Sequence, residues 1–118
     1  MPQDLFHVSI VDSAHVVEIS LPVSMDSGEF DVINDSLKEL IASEPAGGWV
    51  LDLSRLTYMG SAALGMLVNL RQQIKQAGGH LALCGMSPRL LRIFRTCCME
   101  RLFTIKQTRA EALRVVGR

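Results

Sequence analysis

The segment Trp49–Gln76 most constrains what this chain can become. The apolar run Trp49-Val50-Leu51-Asp52-Leu53 gives way to a polar turn, and small residues around Ser61 then open a helical pattern. Ala63, Met66, Leu67, Leu70 and Ile74 recur every three or four residues, while Arg71, Gln72, Lys75 and Gln76 take the other face. The pattern predicts a short buried strand feeding a helix from near Ser61 to about Gln76, which Ala77-Gly78-Gly79 stops. Asp52 interrupts the apolar run and is expected to point toward an end or an edge of the sheet.

The alternation of strand and helix continues on both sides. Phe6, Val8 and Ile10 alternate with His7, Ser9 and Val11, and after Asp12-Ser13-Ala14 comes the run His15–Leu21. These read as two strands joined by a tight turn, the second ended by Pro22, which has no amide donor. From Phe30 the period changes: Ile33, Leu37, Leu40 and Ile41 oppose Asp31, Asn34, Asp35, Lys38 and Glu39 as in an amphipathic helix, closed by Pro45-Ala46-Gly47-Gly48. His80–Cys84 is a further strand. Ser87 is placed to cap a third helix and Pro88 suits its first position, with Leu90, Leu91 and Phe94 on its apolar side. Leu102–Ile105 reads as the last strand, and Thr108 with Glu111 as the capping box of a last helix. The order β-β-α-β-α-β-α-β-α predicts an α/β fold: a single-layer, mixed, mainly parallel sheet with an N-terminal β hairpin and four helices. Residues 1–118 read as one domain with a core of about 6–115, since no linker, repeat or low-complexity stretch divides them.

A chain of 118 residues, 48% hydrophobic and 20% charged, suits a globule with one modest core and not a disordered segment. No apolar run reaches the length of a membrane span, and no basic stretch followed by an apolar one opens the chain. The expectation is a cytoplasmic protein with no direct membrane insertion. Net charge is zero, yet residues 1–54 hold ten acidic residues and one basic, while residues 55–118 hold eleven basic and two acidic. The halves either form an acidic and a basic side or cancel by interleaving.

Little in the chain offers bond-making chemistry. Cys84, Cys97 and Cys98 do not form a disulfide pattern, and Cys97 and Cys98, which close the third helix, are expected to be buried or structural. His7, His15 and His80 are scattered, so neither a metal site nor a cofactor is expected. Ser61 at a strand-to-helix turn superficially suits a small serine-dependent hydrolase, but Gly-x-Ser-x-Gly is missing and none of the histidines is placed as its base. Arg89, Arg92 and Arg95 form a basic stripe on the third helix, with Arg101 nearby. The stripe suits either an acidic patch on a protein partner or an ordinary solvated helix face; it is too short, and aromatic platforms too scarce, to expect nucleic acid. Met59, Met66 and Met86 read mainly as core, and Tyr58 as either an interface anchor or sheet-edge packing.

Taken with their order and spacing, the segment Val50–Leu67, the segment Gln76–Cys84 and the helix start Ser87-Pro88-Arg89 resemble a STAS domain, the fold of bacterial anti-sigma-factor antagonists. The resemblance covers residues 6–115. Members typically carry Asp-Ser-Ser/Ala-Gly-Leu at the turn into the second helix, and the hydroxyl residue after the aspartate is the phosphoacceptor. Here the matching stretch is Gly60-Ser61-Ala62-Ala63-Leu64: Ser61 keeps the acceptor position, Gly60 replaces the aspartate and Ala63 the glycine. The first change removes a charge and a helix-end hydrogen bond; the second adds a methyl that would obstruct a close backbone. The resemblance implies a non-catalytic, protein-binding regulator whose partner is an anti-sigma factor, often also a serine kinase. It implies that Tyr58, Met59, Gly60, Ser61, Ala62, Ala63 and Leu64 form the motif and partner surface, with phosphorylation of Ser61 weakening the grip; the alternative for Ser61 is a simple helix cap. Arg89, Arg92 and Arg95 are candidate further contacts. STAS-like domains also occur in stress-signalling assemblies and as soluble parts of membrane transport systems, so the alternative is a non-switching subunit of a stress-signalling assembly or of a membrane transport complex, with a transport ATPase as a candidate partner.

Overall fold

The computed structural model describes residues 6–11, 14–19, 27–43, 47–56 and 59–117. Among them the chain runs β1 (Phe6–Val11), β2 (Ala14–Ile19), α1 (Ser27–Ser43), β3 (Gly48–Asp52), α2 (Ser61–Gln76), β4 (His80–Cys84), α3 (Pro88–Thr96), β5 (Thr104–Lys106) and α4 (Arg109–Val116). The five strands lie in the sheet in their sequence order. β1 and β2 pair antiparallel with Val11 opposite Ala14, which is the tight hairpin expected; the remaining pairs are parallel. This is the mixed, mainly parallel sheet with four helices that the alternation predicted.

The strand order dictates where the helices go. Each crossover from β2 to β5 steps in the same direction, so the right-handed rule puts its helix on the same face every time. α1, α2 and α3 accordingly share one core with Val17, Ile19, Leu51, Leu53 and Leu83, into which Ile33, Leu37, Leu67, Leu70, Leu90 and Phe94 pack. The other face is left to α4, whose Ala112 and Val116 cover Val16, Val50, Ala82 and Cys84. β3 is therefore buried along its whole length. Its neighbour on one side contributes His15, whose ring stacks on Trp49 with centroids 4.2 Å apart and planes 13° from parallel. The acidic and basic halves do not interleave within the sheet: residues up to 54 supply β1–β3 and later residues supply β4 and β5.

Local signals explain the element ends. The Ser87 hydroxyl accepts the Leu90 N–H at 3.1 Å, with Pro88 opening α3. The Thr108 hydroxyl accepts the Glu111 N–H at 3.2 Å and itself donates to the Glu111 carboxylate at 3.1 Å, so the capping box closes through the hydroxyl. Gly78, at φ +83°, ends α2 in a Schellman turn: the Gly79 N–H reaches the Ile74 carbonyl at 2.8 Å and the Gly78 N–H the Lys75 carbonyl at 3.0 Å. α3 ends the same way, with Met99 N–H on the Phe94 carbonyl at 2.8 Å and Cys98 N–H on the Arg95 carbonyl at 3.0 Å. Here the left-handed position, φ +57°, belongs to Cys98.

Three expectations shift. α1 begins at Ser27, before the periodic run from Phe30. The last strand is Thr104–Lys106 and not Leu102–Ile105. The Leu102 N–H is taken by the Met99 carbonyl and the Leu102 carbonyl by the Arg71 side chain, so residue 102 has no group left for a ladder; Phe103 turns inward against Phe94 and Leu102 faces out. Cys97 and Cys98 are exposed rather than buried, because the α3 end turns them outward; only Cys84 of the three is in the core. Pro22 and Pro45 lie outside the described residues.

A left-handed conformation costs an L residue about 1–2 kcal/mol that glycine does not incur, partly offset by glycine's larger unfolded entropy. Cys98→Gly should therefore stabilise the chain by about 1 kcal/mol. Urea denaturation checks this through a raised midpoint at unchanged slope.

Candidate protein-binding site

Parallel strands end on one side of the sheet, and there the N-termini of α2, α3 and α4 follow β3, β4 and β5. Ser61 is the first residue of α2, and it is exposed. The cap position is Gly60, in extended conformation (φ −87°, ψ −178°), whose carbonyl accepts the Leu64 N–H at 3.0 Å. Gly60 has no side chain to meet the next amides, and the first turn holds no acidic residue. The positive end of α2 thus meets solvent without a carboxylate, with the Ser61 hydroxyl beside it.

The turn that carries Ser61 is anchored by Asp52. This residue ends β3 in the middle of the sheet, and its side chain is 10% exposed. The expectation that it points to an end of the sheet holds along the strand direction, but its carboxylate is enclosed. The Ser54 N–H donates to Asp52 Oδ1 at 3.0 Å, tying down the start of the β3–α2 connection. On the other side Arg109, opening α4, donates to Oδ2 through Nη2 at 2.6 Å and Nε at 3.2 Å. Arg109 Nη2 also lies 3.4 Å from Glu18 Oε2 on β2, directly across from Asp52 in the strand register. Burial alone would raise the Asp52 pKa; the hydrogen bonds from Ser54 and Arg109 and the guanidinium charge outweigh it and hold the carboxyl below its ordinary range. The bond to Asp52 likewise raises the Arg109 pKa. Gly85 closes the arrangement from β4: at φ +75°, a Cβ there would stand 2.9 Å from Asp52 Oδ1 and 3.0 Å from Ser54 Cβ. Cys84 beside it is a buried thiol pushed up to about 11, first by burial and then by the Asp52 charge.

The structure divides the predicted partner surface. Ser61 and Ala62 are exposed and Gly60 is half-buried, whereas Met59, Ala63 and Leu64 belong to the core; Tyr58 lies outside the described residues. The Ala63 methyl, 2% exposed, therefore packs inward and does not stand in the way of a partner's backbone. Met66 is also core and Met86 half-buried. Arg89, Arg92 and Arg95 are all exposed along α3, with Arg89 in its first turn on the Ser61 edge. Arg95 is held 3.3 Å from Glu100. His15 and His80 begin β2 and β4, at the opposite edge from Ser61, and His7 lies in β1, two strands from β3. The geometry of a serine hydrolase is not assembled from them. Among the described residues no group of three or more His, Cys, Asp or Glu is placed to hold a metal ion, and no helix is long and apolar enough to cross a membrane. The Asp52–Arg109–Glu18 cluster was missed by sequence reasoning; the carboxylate inside an apolar run was the available signal.

Residues 7–112 match the STAS domain family model, and the chain belongs to that family. As a STAS domain it is a regulatory module and not an enzyme. It is 29% identical over 105 residues to a putative anti-sigma factor antagonist, BtrV, of Bordetella bronchiseptica, covering 87% of this chain and 76% of that protein. It is 30% identical over 100 residues to a STAS-domain containing protein of Pseudomonas aeruginosa, covering 83% of this chain and 97% of the relative. Among solved structures, the anti-sigma-factor antagonist (STAS) domain protein from Planctomyces limnophilus superposes with a TM-score of 0.79 at 20% identity, over 94% of this chain and 97% of that one.

Removing the cation from a buried carboxylate leaves an uncompensated charge. Arg109 is 37% exposed, so solvent screens part of the effect, and Arg109→Ala should cost about 2 kcal/mol. The sign with pH follows from the lowered Asp52 pKa: its contribution is full above the unfolded carboxyl value and is lost as pH falls through the folded one. In Arg109→Ala the folded value rises toward or past the unfolded one, so the stability deficit should be largest near neutral pH and shrink as Asp52 protonates in acid, as urea denaturation at a series of pH values would record. Thiol labelling offers a separate check. Cys97 and Cys98 should react with an aromatic disulfide reagent in the native protein, and Cys84 only on unfolding.

Proposed function

We propose that this chain is an anti-sigma-factor antagonist whose partner surface centres on the exposed start of α2, and that a phosphate on Ser61 lowers its affinity for an anti-sigma factor that is also a serine kinase. The observation that carries the reading is the exposed Ser61 hydroxyl at the first position of a helix with an open positive end. The relative from Bordetella bronchiseptica, named as a putative anti-sigma factor antagonist, supports the partner class.

Phosphorylation would add about −1.5 to −2 charge at neutral pH. The free amides of α2 tolerate that charge, so the domain stays folded. A protein surface packed against Ser61 and Ala62 must instead desolvate it, and the complex weakens. Gly60 matters here because the family aspartate would set a second negative charge beside the phosphate, whereas Gly60 leaves it with the amides alone. Arg89 and Arg92 extend the contact along α3 toward an acidic patch on the partner. A cytoplasmic location accords with this role.

The missing carboxylate at Gly60 also favours a second reading, a non-switching subunit of a stress-signalling assembly or a membrane transport complex. Affinity capture from native lysate separates the two: the first recovers a sigma-regulating kinase, the second an ATPase or permease. With the captured kinase, phosphosite mass spectrometry should find one phosphate on Ser61 and none on Ser61→Ala. Ser61→Asp should weaken binding at least about tenfold, a loss of roughly 1.4 kcal/mol. Equal affinity of wild type and Ser61→Asp would refute the switch.

A further inference from the structure

The edge of the sheet opposite Ser61 carries a pocket of about 180 Å³. It opens where β4 and β5 begin and where α2 ends. Its floor is apolar, formed by Ile74, Leu81 and Phe103. Four residues with donor side chains also line it, Arg71, Lys75, His80 and Thr104, beside the exposed Leu102. No Asp or Glu lines it. We propose that this pocket binds a small organic anion, a phosphate or carboxylate group carried on a compact apolar body.

The position of Arg71 is the strongest argument. Its Nε–H donates to the Leu102 carbonyl, which holds the guanidinium across the pocket mouth. Its Nη groups have no hydrogen-bond partner among the described residues, so a forked donor is held in place before any ligand arrives. Lys75 stands one helical turn further along α2 and adds a second positive charge on the same face. Both cations belong to the basic half of the chain, and the lining provides no acidic group to neutralise them. A metal ion is unsuited to such a lining, because arginine and lysine donate and cannot ligate. The volume equals roughly six water molecules, enough for a head group and one ring but too little for a nucleotide. The inference is independent of the proposed switch, since α2 holds Ser61 at its first residue and the pocket cations in its last two turns.

The test is an NMR titration of the intact, ¹⁵N-labelled chain with phenyl phosphate, benzoate, inorganic phosphate and benzyl alcohol. Phenyl phosphate or benzoate should shift amides of residues 71–81 and 102–104 saturably, and the better of the two assigns the head group. Inorganic phosphate should shift the same amides with lower affinity, and neutral benzyl alcohol should leave them in place. Arg71→Gln and the exposed substitution Lys75→Glu should each weaken the organic anion at least about tenfold. Lys75→Glu alters no hydrogen bond of the fold, so its spectrum elsewhere should match wild type. The proposal fails if the shifts centre on Arg89 and Arg92, if benzyl alcohol binds as well, if Lys75→Glu leaves affinity unchanged, or if no saturation is reached by about 20 mM.

Discussion

A carboxylate at the end of the most enclosed strand is the constraint on which this molecule turns. β3 is covered on both faces, and Asp52 at its end has to be satisfied without open solvent. Two groups donate to it, the Ser54 amide in the β3–α2 connection and Arg109 at the start of α4; Glu18, across the register, shares that arginine, and Gly85 after β4 leaves the room a side chain would fill. Satisfying one charge thus fixes where α4 crosses the sheet and how the chain leaves β3 for α2. The Ser61 edge inherits its shape from that arrangement, although Asp52 itself touches no part of the exposed helix start.

Much of the fold was legible because its signals are local. The period change at α2, the Ser87-Pro88 helix start, the Thr108–Glu111 pair and the Gly78-Gly79 stop each act within a turn or two, and the structure places them as read. What escaped depends on distant partners. Asp52 was visible as an anomaly, but its guanidinium lies 57 residues away. The start of β5 was misplaced because Leu102 looks apolar and strand-like, while its backbone is claimed by Met99 and Arg71. The motif around Ser61 was read as one continuous surface; a helix start turns neighbouring side chains in different directions, and Met59, Ala63 and Leu64 point into the core. The outward cysteines follow from a left-handed turn at Cys98, a position where sequence reasoning expects glycine.

The two edges of the sheet differ in chemical character. One gathers the starts of three helices, two capped by Ser87 and Thr108 and the third left without a side-chain cap beside the Ser61 hydroxyl. The other gathers the start of β4 and the end of α2, with a hollow that holds two cations, Arg71 and Lys75, and no carboxylate. The zero net charge of the whole chain conceals this difference.

The agreement between spatial and sequence order of the strands bears on synthesis at the ribosome. Each parallel strand finds its edge already present in the nascent chain, and α1, α2 and α3 can settle in turn as they emerge. Among the described residues the opposite face is covered by α4, which also delivers the guanidinium for Asp52. A chain truncated before residue 109 would lack the cover that α4 gives this face and would strand the Asp52 charge, so α4 acts as the latch of the sheet.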